Sequence, residues 1–302
     1  MTKPPFLTGV IILGWMTGLV LCPAGALAQR AVPEDHIRYP VLVTLENGYV
    51  ASGFYVNNEA GEAFFVTARH ILFEKNAAGQ DVPKAKKLLL LSYPRETDLD
   101  HPIYLELQLD VLFEKGFAMV HATQDVAAIH IGGVTQTGAA RSLELVEGVT
   151  QKVAEGESGN GTLLGASPNV IKRYADVTIG NDVFIFGYPV SLGIENYPQL
   201  DYLRPLLRRG SVAGKNDEKM TIILDCPTVY GNSGGPVIEV DETSLTQTNY
   251  WVIGLVSEFI PFQDKWYGVD APRPFRGIEN SGYSVVIPMD TVLDLIQSKK
   301  AA

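Results

Sequence analysis

The chain contains two groups of short segments rich in β-branched, aromatic and leucine residues, separated by a long stretch without periodicity. Segments of this kind, bounded by turn residues, are typical of antiparallel strands. Each group has six segments, enough for one small closed barrel. We therefore predict an all-β fold of two six-stranded antiparallel β-barrels. The predicted strands are 41–45, 49–56, 63–68, 87–93, 104–109 and 126–131, then 183–187, 203–212, 221–224, 236–240, 251–257 and 283–287.

Residues 1–28 have the features of a secretory signal peptide. Lys3 precedes an apolar run, and Ala26-Leu27-Ala28 provides an A-x-A cleavage site. Cleavage there would remove Cys22 and leave Cys226 as the only cysteine, so the exported chain could form no internal disulfide. An uncleaved membrane anchor is the alternative, which the short, interrupted apolar run disfavours. We expect a bacterial protein exported to the periplasm or outside the cell, with no stable membrane insertion after signal removal.

The remaining chain divides at the stretch that lacks periodicity. We expect the N-terminal barrel in residues 29–134, a linker between the barrels in 135–174 with a short strand possible at 143–146, and the C-terminal barrel in 175–302. Residues 289–300 carry an apolar stripe at helical spacing, and Asp290 can cap its start, so a helix is predicted at the end of the second barrel.

The charge of the chain excludes one class of partner. The formal net charge is −10, and no basic patch is present to bind a phosphate backbone, so no nucleic acid is expected as a partner. Paired histidines and a Gly-x-x-x-x-Gly-Lys pattern are also lacking in the sequence. We therefore expect neither a metal site nor a nucleotide cofactor.

One serine has a setting suited to nucleophilic attack. Ser233 lies in Gly231-Asn232-Ser233-Gly234-Gly235-Pro236, where residues without a Cβ allow a sharp turn and close approach of a substrate carbonyl. The amides of Gly231 and Ser233 are then candidate donors of an oxyanion hole. Pro236 fits the first position of the strand that follows. The alternative is an ordinary glycine-rich hairpin.

A serine nucleophile needs a neighbouring base. The five histidines all precede Ser233, which excludes the nucleophile elbow of α/β-hydrolases, where histidine follows serine. His70 follows the predicted strand 63–68 and would lie at a barrel rim, facing a cleft. His121 and His130 are rival bases close to Asp125 but lack this strand-then-loop context. A Ser-Lys dyad has no supporting motif.

Three motifs together resemble the signatures of chymotrypsin-fold serine proteases, most closely the bacterial HtrA/DegP-like branch. They are Thr67-Ala68-Arg69-His70, Asp125-Val126-Ala127-Ala128-Ile129 and the hexapeptide around Ser233, in the order His, Asp, Ser. Residues 51–54, 186–189, 209–212 and 282–288 are also similar to HtrA-type segments in the same order. The chain departs from the family at Ala51 and Arg69, and we expect no PDZ module after the terminal helix.

The resemblance implies a serine endopeptidase that acts on protein or peptide substrates through an acyl-enzyme on Ser233. His70 is then the general base and Asp125 the carboxylate that orients it. Asn232, uncharged, stands where zymogen-type relatives have an ion-pairing Asp, so we expect signal removal to be the only cleavage required. A protease-fold binding or scaffold protein without catalysis is the alternative from another class, and an esterase lies between the two.

The resemblance also implies a substrate pocket formed by 227–230 and 255–257. Its predicted residues are Pro227, Tyr230, Leu255, Val256 and Ser257. Pro227 stands where trypsin-like enzymes place an acidic selector, so small or apolar substrate side chains are expected in place of Arg or Lys. The stretch 259–281 is predicted as a long loop beside the same cleft.

Overall fold

The computed structural model describes residues 38–93, 101–137, 140–152, 163, 165–189, 197–244, 247–266 and 275–298. Each of the predicted strands is present in these ranges, and the all-β class with a C-terminal helix is confirmed. The predicted signal peptide lies outside the described residues. None of the helices in the described ranges has the length and apolar composition needed to cross a bilayer.

The N-terminal strands form one ten-stranded sheet with the order β10-β9-β3-β2-β1-β6-β7-β11, in which β12 also pairs with β2 and β8 with β9. A separate hairpin consists of β4 and β5. The bounds are β1 Pro40–Leu45, β2 Val50–Asn57, β3 Glu62–Thr67, β4 Phe73–Lys75, β5 Asp81–Pro83, β6 Lys87–Ser92, β7 Ile103–Gln108, β8 Ala118–Val120, β9 Ala127–Thr137, β10 Ala140–Leu145, β11 Val149–Lys152 and β12 Gly165–Ala166.

This sheet is larger than the six-stranded barrel that the sequence predicts. Its central path β9-β3-β2-β1-β6-β7 contains the six predicted strands, while β10, β11 and β12 come from the stretch interpreted as a linker. β10 overlaps the strand considered possible at 143–146. β11 and β12, with 4 and 2 residues, are too short to show the apolar pattern that marks a strand.

The C-terminal strands form a closed six-stranded barrel in the order β13-β14-β15-β18-β17-β16. The bounds are β13 Asp182–Gly187, β14 Leu206–Asn216, β15 Thr221–Asp225, β16 Pro236–Ser244, β17 Gln247–Trp266 and β18 Phe275–Pro288. Pro236 begins β16, as predicted. The predicted loop 259–281 is wrong over 259–266 and 275–281, which belong to β17 and β18. Pro261 pairs with Asn280 there, after a shift of register beside the proline. Residues 267–274 of the predicted loop lie outside the described part of the chain.

Three α-helices and two short 3-10 helices complete the described fold: α1 Arg69–Leu72, α2 Leu109–Glu114, α3 Met289–Ser298, and the 3-10 turns Pro168–Val170 and Tyr174–Asp176. Helix α3 begins at Met289, so Asp290 lies in its first turn and not at the cap. The Asp290 carboxylate accepts a hydrogen bond from the Tyr174 backbone N–H at 2.6 Å.

The two sheets meet where β13 packs against β1 and β2. Apolar side chains from both sheets form a buried cluster there, in which Tyr188 of the C-terminal barrel contacts Leu42, Leu91 and Tyr93 of the N-terminal sheet. A second cluster fills the interior of the closed barrel. This packing fixes the seam along which the candidate site lies.

Candidate active site

His70 is held on a short, well-anchored turn. It is the second residue of α1, directly after β3, and the next two residues, Ile71 and Leu72, are fully buried. Lys84 Nζ donates a hydrogen bond to the His70 carbonyl oxygen at 2.6 Å. The backbone of His70 is therefore fixed, while 43% of its side chain remains exposed.

Asp125 lies between β8 and β9 and contacts His70 twice. The His70 ring nitrogen Nδ1 is 2.7 Å from Asp125 Oδ2, and the His70 backbone N–H donates to Oδ1 at 2.9 Å. Since an ionised carboxylate only accepts hydrogen bonds, Nδ1 carries the proton. In the neutral ring, Nε2 then has the lone pair, which is the tautomer that a general base requires.

The charge of Asp125 is stabilised against its burial. Burial alone raises the pKa of this carboxyl and is the largest single influence on it, but hydrogen bonds from His70 and Ser257 and attraction to the His70 ring together outweigh it. The pKa of Asp125 is consequently lowered from its ordinary value. The group is therefore ionised at neutral pH.

Ser257 is the third group on this carboxylate, since its Oγ donates to Asp125 Oδ2 at 2.7 Å. It lies in β17 at an irregularity, where the register with β18 shifts between Val256 and Glu258. A bulge of this kind redirects a side chain out of the regular alternation of a strand. Ser257 from the C-terminal barrel thus reaches Asp125 of the N-terminal sheet.

Ser233 lies in a tight turn between β15 and β16. Gly231 and Gly234 have φ angles of 95° and 82°, a region that residues with a Cβ rarely adopt. A Cβ at Gly234 would also lie 2.2 Å from the Ser52 carbonyl oxygen and from Thr67 Oγ1. Glycine is required there because the serine turn packs directly against the strand that precedes His70.

The backbone of the turn leaves two donors available. Gly234 N–H donates to the Val256 carbonyl at 2.7 Å and Gly235 N–H to the Asn232 carbonyl at 2.9 Å. By contrast, Gly231 N–H and Ser233 N–H donate no hydrogen bond to any residue in the described part of the chain. These are the two amides that the sequence predicts for an oxyanion hole. Asn232 is fully buried, and its Oδ1 accepts from Val229 N–H at 3.1 Å, which closes the turn.

His70, Asp125 and Ser233 line one cleft of about 610 Å³ at the seam between the sheets. His70 and Asp125 are 55 positions apart in the chain, and Asp125 and Ser233 are 108 apart. They come to one cleft because β3 and β9 pair within one sheet and the serine turn packs against that sheet. The other lining residues are Tyr49, Arg69, Thr228, Val229, Tyr230, Ser257, Glu258, Phe259 and Pro261.

The five residues predicted for the substrate pocket have three different positions. Tyr230 and Ser257 line the cleft, whereas Leu255 and Val256 are buried, 0% and 1% exposed. Side chains alternate along a strand, so residues of β17 next to a cleft residue can point into the barrel. Pro227 is exposed and does not line the cleft, whereas the next two residues, Thr228 and Val229, do line it.

Several lining residues were not predicted from the sequence. Tyr49 and Glu258 carry no motif, and only the fold brings them to the cleft. Arg69 could have been identified, since it departs from the family pattern directly beside His70. Arg69 and Glu258 add one positive and one negative charge to the cleft, which also contains the Asp125 carboxylate.

The rival histidines occupy other surroundings. His121 Nδ1 accepts hydrogen bonds from the backbone N–H groups of Thr123 at 3.3 Å and Gln124 at 2.9 Å, and burial lowers its pKa. His130 contacts the rings of Phe64 and Phe117. Neither residue lines the cleft that holds Ser233.

Comparison with known proteins finds one matching family and several similar solved structures. Residues 51–245 match the family described as the trypsin-like peptidase domain. No curated protein matches the chain.

Among solved structures, the chain is similar to the HtrA-type protease AlgW with a bound tripeptide, at 14% identity over 88% of this chain and 63% of that one, with a TM-score of 0.44. It is also similar to a thermostable serine protease from an extremophilic microorganism, at 15% identity over 87% and 96% of the two chains, with a TM-score of 0.45. For the protease Anisep from Arthrobacter nicotinovorans, the identity is 14%, the coverage 88% and 96%, and the TM-score 0.46. The chain thus spans less than two thirds of the length of the HtrA-type protease.

Proposed function

This chain belongs to the trypsin-like peptidase domain family, as its motifs predict, and we propose that it is a serine endopeptidase that hydrolyses peptide bonds through an acyl-enzyme on Ser233. The observation that supports this most strongly is the 2.7 Å contact between His70 Nδ1 and Asp125 Oδ2 in the cleft that also contains Ser233. A histidine held in this way presents Nε2 to a hydroxyl nucleophile.

The first half of the reaction uses His70 as base and then as acid. Nε2 takes the proton of Ser233 Oγ as Oγ forms a bond to the substrate carbonyl carbon, and the carbonyl electrons move onto its oxygen. The tetrahedral intermediate collapses, the C–N bond breaks, and the proton on Nε2 passes to the leaving amine. The acyl group then remains on Ser233 as an ester. A water molecule repeats the sequence in the second half, giving the free acid and restoring the hydroxyl.

Asp125 stabilises the imidazolium that forms during each half-reaction. Its hydrogen bonds from the His70 ring and backbone orient the imidazole, and its negative charge balances the positive ring. Gly231 N–H and Ser233 N–H are the donors available to the developing oxyanion, which is the interaction that usually contributes most to acyl transfer.

The export of the protein belongs to the same proposal. A leader in residues 1–28, removed after Ala28, would deliver the chain to the periplasm or the exterior. The leader contains Lys3 as its only charged residue, so its removal changes the formal charge from −10 to −11. Mass spectrometry of the protein from a culture supernatant or periplasmic fraction tests this, and a chain that retains residue 1 would contradict it.

The activity is tested with three purified forms of the protein: the unchanged chain, Ser233→Ala, and Ser211→Ala as a control. Ser211, like Ser233, stands next to a glycine in the chain, but it lies in β14 and does not line the cleft. We expect the unchanged chain and the control to cleave casein and members of a peptide library, and Ser233→Ala to lose at least about 10³-fold in rate. Equal cleavage by all three forms would remove Ser233 from the mechanism.

The same assay separates the alternatives. A binding or scaffold protein would retain folded structure and cleave neither peptides nor activated esters in any form. An esterase would hydrolyse esters through Ser233 but leave the peptide library intact. Only the endopeptidase cleaves internal peptide bonds in a manner that depends on Ser233.

A further inference from the structure

Ser52, in β2 of the N-terminal sheet, uses every polar atom it has at the junction with the catalytic turn. Its N–H donates to the Ser233 carbonyl at 3.1 Å, and its carbonyl accepts from Thr67 Oγ1 at 2.7 Å. Its Oγ donates to the Gly231 carbonyl at 2.6 Å and accepts from the Tyr188 N–H at 2.8 Å. Ser52 therefore links the turn at Ser233 to the strand that leads into His70.

The backbone N–H and the hydroxyl of Ser52 both reach the C-terminal half, and the hydroxyl makes two of these three hydrogen bonds. Gly231 and Tyr188 both belong to the C-terminal half, and Tyr188 directly follows β13. Ser52 is fully buried, and a Cβ added at Gly187 would lie 2.9 Å from its Oγ. Loss of this buried hydroxyl would remove the partner of both the Gly231 carbonyl and the Tyr188 N–H.

The carbonyl that Ser52 holds lies between the two oxyanion donors. The donors belong to Gly231 and Ser233, and the peptide plane that joins Gly231 to Asn232 separates them. Gly231 has a φ of 95°, and a glycine there has more rotational freedom than any other residue. A hydrogen bond to its carbonyl restricts the rotation of this plane, and so fixes the spacing and direction of the two N–H groups.

We propose that Ser52 is a positioning residue whose hydroxyl sets the geometry of the oxyanion donors Gly231 and Ser233 from the opposite sheet. The proposal rests on the function proposed above, because a hole of fixed geometry matters only if Ser233 forms a tetrahedral intermediate. Donors act on a transition state when they are preorganised at the position where charge develops. Ser52 has no atom on the reacting groups and acts through Gly231.

The test compares the unchanged protein with four variants. Ser52→Ala removes the hydroxyl. Ser52→Thr and Ser52→Val have side chains of the same shape, so both carry any packing penalty of the added methyl group. They differ only in that Thr keeps the hydroxyl and Val has a methyl in its place. Ser92→Ala is the control, because Ser92 is another buried serine of the same sheet, 3% exposed, and does not contact the catalytic turn. Each variant is assayed well below its own melting temperature.

Removal of one direct oxyanion donor lowers kcat by about 10²- to 10³-fold, so an indirect loss of order in the hole should lower it by about 10- to 100-fold. We expect Ser52→Ala to show this fall in kcat with little change in KM. The affinity for a peptidyl trifluoromethyl ketone, which forms a tetrahedral oxyanion on serine, should fall by a similar factor. Ser52→Thr should exceed Ser52→Val in kcat by about tenfold, and Ser92→Ala should match the unchanged protein.

A further readout locates the effect within the site. The proton between His70 Nδ1 and Asp125 gives a downfield NMR resonance, and Ser52→Ala should leave it in place because Ser52 does not contact that pair. A Ser52→Ala protein with unchanged kcat, or a Thr variant no faster than the Val variant, would overturn the role of Ser52. An unchanged protein that fails to react with the ketone would instead overturn the proposed function, so the two failures are distinguishable.

Discussion

The side chain of Asp125 holds both the backbone and the ring of His70: one carboxylate oxygen accepts from the His70 N–H at 2.9 Å, and the other lies 2.7 Å from Nδ1. The first contact fixes where the residue is, and the second fixes how its ring is turned. His70 lies in α1, which follows β3, and Asp125 lies in the loop before β9, so both are at the same end of this pair of strands. Their geometry is therefore a property of the fold and does not require substrate.

Replacing Asp125 by Asn should retain the position of His70 and abolish most of the peptidase activity. An amide that donates to Nδ1 favours the tautomer with its proton on Nε2, which cannot accept the Ser233 proton. We expect kcat to fall by about 10³- to 10⁴-fold with a native circular dichroism spectrum. Asp176→Asn, at an exposed carboxylate, is the control. An Asp125→Asn protein that keeps a kcat close to that of the unchanged chain would show that the carboxylate is not required.

The lowered pKa of Asp125 also predicts how stability depends on pH. A carboxyl whose pKa is lower in the folded state than its ordinary value of 3.8 stabilises the fold fully above that value and loses this contribution as pH falls through the folded pKa. The difference in unfolding free energy between the unchanged chain and Asp125→Asn should therefore be constant above about pH 5 and shrink below it. Urea unfolding from neutral to acidic pH measures this. A difference that widens toward acid would contradict the sign of the shift.

Ser257 should contribute to stability through Asp125. Replacing it by Ala removes a hydrogen bond to a half-buried charge, a loss of about 1.5–3 kcal/mol in unfolding free energy at neutral pH. Ser298→Ala is a matched control, since its Oγ also donates one hydrogen bond, to the uncharged Leu295 carbonyl, and should cost about 1 kcal/mol or less. Denaturant unfolding of both variants provides the comparison, and equal losses would argue that Ser257 does not support the Asp125 charge.

An aromatic pair should restrict which substrate side chains are accepted. Tyr230 and Phe259, both lining the cleft, meet edge to face, with ring centroids 6.1 Å apart at 88°. We expect Phe259→Ala to raise, by about tenfold or more, the ratio of kcat/KM for substrates with large apolar side chains to kcat/KM for substrates with alanine at the same position. Phe262→Ala, on the same hairpin but not lining the cleft, should leave the profile unchanged. A peptide library read by mass spectrometry measures both, and identical profiles would exclude the pair as a determinant of specificity.

The sequence predicts the long, buried strands better than the short strands and the outer part of the β17–β18 hairpin. The apolar runs of the six strands on the central path of the N-terminal sheet and of the six barrel strands are evident, because buried strands carry a dense apolar pattern. Short strands such as β4, β8 and β12 do not show it. The strand residues 261–266 and 275–280 are predicted as loop because Pro261 and the polar residues near it are typical of one, although main-chain pairing continues past Pro261.

The site shows a similar division. His70, Asp125 and Ser233 stand in motifs that can be identified in the chain, and the structure brings them to one cleft. Ser257 was predicted as a pocket residue, and its bond to Asp125 depends on a bulge that local sequence does not specify. The contacts of Ser52 arise where two separately formed sheets pack together, so they are visible only in three dimensions.

Covalent labelling of Ser233 by a fluorophosphonate tests the central claim most directly, because this reagent reacts with a serine only where a base activates it and donors stabilise the resulting oxyanion. Intact-protein and peptide mass spectrometry should show one adduct, on Ser233, in the folded chain, and none in Ser233→Ala or in the urea-unfolded chain. A folded chain that gains no adduct on Ser233, or one labelled equally after the Ser233→Ala replacement, would contradict the account.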